Sequence, residues 1–209
     1  MRICAMQPAF IPPASYFRLF AATDLFVILD NVQFDRRWYT HRQQLTDRNG
    51  KKQWLTLPIK HTPRDTTRIL DLEWADDYQD RWLSELDKFA SVEHFPIPQG
   101  LSPVMFICTG LFNTCNTLGI PLHIATSSAV PIPDDLRGQA RIIAICEFLK
   151  ATTYVNSPGG TSLYDPKAFA DKNIKLEFLP EWTGDNRSVI ERLTDQSPEE
   201  IREDIYEQI

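Results

Sequence analysis

Two short apolar runs at the head of the chain, residues 2–6 and 25–29, constrain the fold more than anything else in the sequence. Each is nearly all apolar and closes on polar residues, the pattern of strands covered on both faces of a sheet. Between them Pro8, Pro12 and Pro13 forbid helix across the 7–13 loop. Ser15 then offers an N-cap for a helix to about Ala22. Strand, stiff loop, helix and strand in so short a span imply a parallel βαβ unit with a right-handed crossover.

The alternation continues downstream. Residues 53–59 read as a strand, and Asn49-Gly50 beside them marks a hairpin. Residues 69–74 read as another strand. Trp82, Leu83, Leu86 and Phe89 fall at helical spacing over 78–91. A helix over 105–118 stops at Gly119. Strands are expected at 122–126, 154–156 and 174–178, with helices at about 139–149 and 166–171 and an acidic helical tail from about Ser197. This predicts a single α/β domain over 1–209, built on a mostly parallel Rossmann-like sheet with flanking helices. A small β-hairpin lobe is expected within 35–75, and the acidic tail occupies 195–209.

Composition narrows the function classes. Hydrophobic residues make up 43% and charged residues 24% of the 209, as in an ordinary soluble domain. No apolar run is long enough to span a bilayer. Gln7, Pro8 and Pro12 interrupt any signal-peptide pattern at once, so a cytoplasmic protein with no membrane partner is expected. Cys4, Cys108, Cys115 and Cys146 are then expected to be reduced core residues, because they lack metal-binding spacing. No metal and no cofactor is expected. The net charge of −6 argues against binding duplex nucleic acid, but it is unevenly spread. Residues 36–68 carry nine Lys/Arg against two Asp, while 185–209 carry eight acids against three Arg. The basic segment suits an anionic ligand, such as a nucleotide sugar, a phosphopantetheine arm or an RNA end; it equally suits a solvated hairpin.

Candidate site residues gather where parallel strands should end, the usual place for ligands in open α/β sheets. Gln7 follows the first strand in a proline-stiffened loop with Phe10, which would hold its amide in one orientation. Asp30, Asn31 and Gln33 follow the second, though an Asx-turn accounts for them as well. Residues 36–42 interleave Arg36 and Arg42 with aromatics and His41, a candidate general base; Lys60 is a candidate anion contact. Asn156 ends a later strand just before Gly159-Gly160, where backbone N–H groups can approach a ligand closely. Neither a Walker loop nor a G-x-G-x-x-G motif is present.

Three blocks together resemble the WbqC-like family. The first is MRICAMQPAFIPPASYFRLFAATDLFVILDNVQF, with its Gln-Pro-aromatic loop, the Tyr16-Phe17 helix and Asp30-x-Val32-Gln33. The second joins RRWYTHRQQL and KKQWLTLPIK. The third is ATTYVNSPGGTSLYDPKAFADKNIKLEFL, with Tyr154-x-Asn156-x-x-Gly159-Gly160-x-x-Leu163-Tyr164. Departures are Tyr39 where the family often has Trp, His41 where it often has Asn, Ser15 in place of Gly, and an altered pattern over 186–191. The resemblance covers essentially the whole chain. It implies a transferase moving an aminoacyl (glycyl-like) or other acyl group to an amine, in polysaccharide or natural-product biosynthesis.

The expected reaction joins an amine of a sugar or small metabolite to an acyl group carried on CoA, tRNA or a carrier protein. His41 or Asp30 would take the proton. Gln7, Asn156 and the backbone at Gly159-Gly160 would stabilise the oxyanion. Arg36, Arg42 and Lys60 would hold the carrier's anionic part, and Phe10, Tyr16, Gln33 and Tyr164 would line the substrate site. The alternatives are a nucleotidyltransferase or ligase, and a non-catalytic module that binds a nucleotide sugar or carrier protein. The oligomeric state is not legible in the sequence.

Overall fold

The structure is a computed structural model, and it describes residues 1–61, 63 and 66–209. Arg64 and Asp65, part of the 36–68 charge count, lie outside the described residues, as does Thr62. In chain order the elements are β1 (Arg2–Met6), α1 (Ala14–Ala21), β2 (Leu25–Ile28), β3 (Arg42–Thr46), β4 (Lys52–Thr56), α2 (Tyr78–Leu86) and α3 (Pro103–Leu118). There follow β5 (Ile124–Thr126), α4 (Gly138–Phe148), β6 (Thr153–Asn156), α5 (Pro166–Ala170), β7 (Lys175–Phe178), α6 (Val189–Arg192) and α7 (Pro198–Glu207).

Five strands form one sheet in the order β5-β2-β1-β6-β7, and every pairing in it is parallel. Ile3 pairs with Leu25 and Met6 with Ile28, so the two opening apolar runs lie side by side as expected. The strand order reverses between β1 and β6. That reversal is the switch point at which open α/β sheets leave a crevice beyond their strand ends. Alternate side chains of β1 face opposite layers. Cys4 packs with α1, α3 and α7 through Phe17, Leu111 and Ile205. Ile3 and Ala5 pack with α4 and α5 through Ile145 and Phe169. Helices therefore cover both faces, which is why the central strands β1 and β2 are mostly apolar.

The antiparallel β3–β4 hairpin stands apart from this sheet. Its turn is organised by Asp47, whose Oδ1 accepts the N–H of Asn49 and of Lys51 at 2.8 Å each. Gly50 takes the left-handed conformation there (φ 77°). The hairpin has a core of its own, in which Leu45, Leu55 and Leu57 meet Trp82, Leu86 and Phe89 from the α2 region. Phe106 and Ile107 of α3 and Phe10 of the proline loop also enter this core.

Some local expectations need correcting. Residues 69–74 are not a strand: Ile69–Asp71 form one 3₁₀ turn, and only Trp74 makes an isolated bridge, to Ile59. The Ile69 and Leu70 N–H groups are taken by the carbonyls of Val32 and Asp30, which leaves no ladder to extend. Ser15 does not cap α1; Pro13 sits at the cap position with no side-chain hydrogen bond. The 78–91 helix ends at Leu86 and resumes as a 3₁₀ turn at Ala90–Val92. Gly119 does end α3 in the left-handed conformation, and the tail is helical behind a Ser197–Glu200 capping box. No helix among the described residues is long and apolar enough to cross a membrane.

Candidate active site

Because β1, β2 and β6 run parallel, the loops after Met6, Ile28 and Asn156 emerge on one rim of the sheet. Two cavities open on that rim, and Gln7 lines both. The first, of about 700 Å³, is walled by the proline loop, α1 and the 157–159 turn. Trp38, Tyr39 and Trp182 close it with aromatic surface. The second, of about 940 Å³, lies over the N-terminal end of α4. Among the described residues it is lined by Arg36, Arg37, Arg68, Arg137 and Arg141 against two carboxylates, Asp35 and Asp134.

The shared wall is held firmly. Tyr16 donates its hydroxyl to the Gln7 carbonyl at 2.8 Å, and burial pushes the Tyr16 pKa well above its ordinary value, so it stays a donor. The Phe10 N–H reaches the Tyr39 carbonyl at 2.9 Å. Ile11 adopts φ 40°, a costly conformation for a β-branched residue. Its carbonyl accepts the fully buried Ser188 hydroxyl at 2.6 Å, and the neighbouring Pro12 carbonyl accepts the Val189 N–H at 3.1 Å. Strain is thus held in the loop that carries Gln7. The Gln7 Oε1 is buried with no hydrogen-bond partner among the described residues, so an acceptor is left unsatisfied in the shared wall.

The expected site residues divide. Gln7, Tyr16 and Gly159 line the aromatic cavity; Gln7, Gln33, Arg36 and Tyr164 line the arginine cavity. Burial raises the Tyr164 pKa, keeping its phenol neutral. Asn156 and Gly160 line neither cavity but build its frame. The Asn156 Oδ1 accepts the Ser157 N–H at 2.8 Å, which shapes the turn bearing Gly159. Gly160 is required there, since a Cβ would fall 2.5 Å from the Asn156 Nδ2.

Asp30 is buried and fully engaged. Its carboxylate accepts from the Ser127 hydroxyl at 3.0 Å and from the Ser128 N–H at 2.9 Å, tying β2 to the turn after β5. Phe10 packs its ring against Trp82, Phe95 and Phe106 in the hairpin core. His41 is buried against Phe34 (5.1 Å between ring centroids), outside both cavities. Burial, aided by Arg42 and Arg36, lowers its pKa to about 4. Arg42 lies 4.2 Å over the Trp54 ring and donates to the Arg37 carbonyl. Lys60 pairs with Glu73 at 3.0 Å and Asp76 at 3.5 Å.

Arg137 and Arg141, which sequence reasoning passes over, dominate the arginine cavity. They are four apart and straddle the start of α4, just beyond the carboxyl end of β5. That spacing, at the start of a helix after a strand, was a usable signal. Among the described residues no group of three or more His, Cys, Asp or Glu is placed to hold a metal ion.

The chain matches the WbqC-like protein family over residues 7–95 and 98–183. It is similar to an uncharacterized protein of Mycobacterium tuberculosis, Rv1507c. The two are 26% identical over 194 residues, covering 85% of this chain and 81% of that protein. No solved structure matches it.

Proposed function

We propose that this chain, which belongs to the WbqC-like protein family, transfers an acyl or aminoacyl group from an anionic activated carrier to an amine. One observation carries the reading: two cavities of unlike chemistry share one half-buried wall residue, Gln7. The arginine cavity suits the carrier's negative groups. The aromatic cavity suits the body of the acceptor, an amino sugar or a small amine. The Gln7 side-chain amide, which offers both an acceptor and donors at the shared wall, orients the incoming amine. The amine nitrogen attacks the donor carbonyl carbon and the carbon–sulfur or carbon–oxygen bond breaks. The leaving atom keeps the electron pair and takes the proton lost from nitrogen. His41 lies outside both cavities and Asp30 is saturated by serines, so neither is given the proton here.

The experiment is a thiol-release assay with glycyl- and acetyl-thioesters of phosphopantetheine and a panel of amino sugars, with the amide product read by mass. Amine-dependent thiol release is expected, falling about 10²–10³-fold in Gln7→Ala. No release with any amine, or an unchanged rate in Gln7→Ala, overturns the reading. The strand order and the arginines also favour a nucleotidyl-transfer reading; pyrophosphate release from ATP, dependent on an added acid, would select it.

A further inference from the structure

Arg141 is 4% exposed, yet among the described residues its side chain makes a single hydrogen bond, from Nη1 to the Leu136 carbonyl at 3.3 Å. Its Nε and Nη2 have no hydrogen-bond partner among the described residues. Those two nitrogens form one edge of the guanidinium plane, the fork that grips two oxygens of one anion. A buried cation with an empty fork is unfavourable on its own. Burial and the neighbouring Arg137 both bear on its ionisation in the disfavouring sense, with Asp134 and Asp30 opposing. Among the described residues no carboxylate pairs with it, so the charge calls for an anion. Three further donors converge on the same space. α4 begins beside the cavity at Gly138 with no side-chain cap, so its first-turn N–H groups are open. Arg137 precedes it, fixed by a hydrogen bond to the Leu136 carbonyl at 2.8 Å. Arg36, from the segment after β2, lines the same cavity, and its buried Nε has no partner among the described residues.

We propose that the arginine cavity is a binding site for a phosphate or diphosphate group, with the Arg141 fork and the α4 N-terminus as its grip. A carboxylate offers two oxygens and one charge. A phosphate ester offers three oxygens and more charge, enough to engage the fork and the helix N–H groups together. The site deepens the donor half of the proposed function and rests on that reading only for the ligand's role as donor. The same group occurs in a nucleotide and in a phosphopantetheine arm.

The test is calorimetric titration of the full chain at low ionic strength with inorganic pyrophosphate, ADP and phosphopantetheine. Adenosine and pantetheine are the uncharged controls. Saturable pyrophosphate binding is expected, with none for the controls. Tighter ADP binding assigns the nucleotide source, and tighter phosphopantetheine binding the carrier arm. Arg141→Met should weaken pyrophosphate binding about 10–100-fold. It should also leave the ligand-free Tm unchanged or higher, because it deletes an unpaired buried charge. Arg141→Lys, which keeps the charge without the fork, should bind with intermediate affinity. Arg81→Met, on the exposed face of α2, should bind like the wild type. No binding by the wild type overturns the proposal, as does unchanged affinity in both Arg141 variants. A fall in ligand-free Tm in both variants also overturns it, because Arg141 would then be a structural residue. Pyrophosphate binding without thiol release sinks the transfer reading alone. Thiol release at the wild-type rate in Arg141→Met sinks this site alone.

Discussion

A single buried imidazole ties this protein's stability to pH. His41 is 4% exposed, and its Nδ1 has no hydrogen-bond partner. Its pKa falls from 6.5 to about 4, chiefly because burial disfavours the charged ring. Between those values the unfolded chain binds a proton there that the folded one does not, so stability rises with pH across the window. Its contribution is fully present above pH 6.5 and is lost as pH falls toward 4, by roughly 3 kcal/mol. Urea unfolding at intervals across that range should show the slope, and His41→Phe should flatten it. The type and place of this residue read from the sequence as those of a base. Its burial against Phe34 did not, because that depends on where the hairpin folds over the rim. The same holds for Arg42 and Lys60, whose partners Trp54, Glu73 and Asp76 come from segments the local pattern does not connect. The place of Gln7 was legible because it ends β1 and the prolines that follow it, Pro8, Pro12 and Pro13, stiffen its loop whatever packs around it.

Elements were legible where one period ruled a segment. The apolar runs of β1 and β2 form adjacent parallel strands because burial on both faces leaves no other use for them. Residues 69–74 are also mostly apolar, but their backbone bonds go to a loop, which no periodicity reveals. The turn after β6 is the element on which the rim most depends, and its two glycines are not equivalent. At Gly160 a Cβ would lie 2.5 Å from the Asn156 Nδ2 and 3.1 Å from its Cγ; at Gly159 it would meet nothing within 4 Å. Gly160→Ala must push aside a side chain that is 4% exposed and holds the turn together. It is expected to cost about 1–3 kcal/mol, as overpacking does. Gly159→Ala should change stability by less than about 0.5 kcal/mol, in the manner of an unobstructed surface site. Paired denaturation midpoints for the two variants check the difference.

At the scale of the molecule, the hairpin core and the sheet are joined partly through the segment around 188–192, which no local pattern marks as a joint. The four-residue helix α6 is the clasp. Its Glu191, 4% exposed, accepts the Thr46 N–H at 2.6 Å and the Lys52 ammonium at 3.3 Å, both on the hairpin. Arg192 beside it is 2% exposed and pairs with Asp204 of α7 at 2.9 Å. The clasp also carries Ser188, which supports the strained Ile11 carbonyl, so one segment fixes both the hairpin and the Gln7 loop. Glu191→Ala leaves the Thr46 N–H buried without its acceptor and should cost about 1.5–3 kcal/mol, the range for a hydrogen bond to a charged group. The loss should fall on the joint rather than evenly. In a Trp182→Phe background, which removes the tryptophan packed against the sheet core, fluorescence reports the hairpin side through Trp74 and Trp82, while far-UV circular dichroism reports mainly the helices that cover the sheet. With Glu191 intact the two signals are expected to change together in urea, as in a single cooperative transition. In Glu191→Ala the fluorescence midpoint should fall below the dichroism midpoint. Coincident curves in the variant would mean that the shared Phe10–Phe106 packing, not the clasp, couples the two cores.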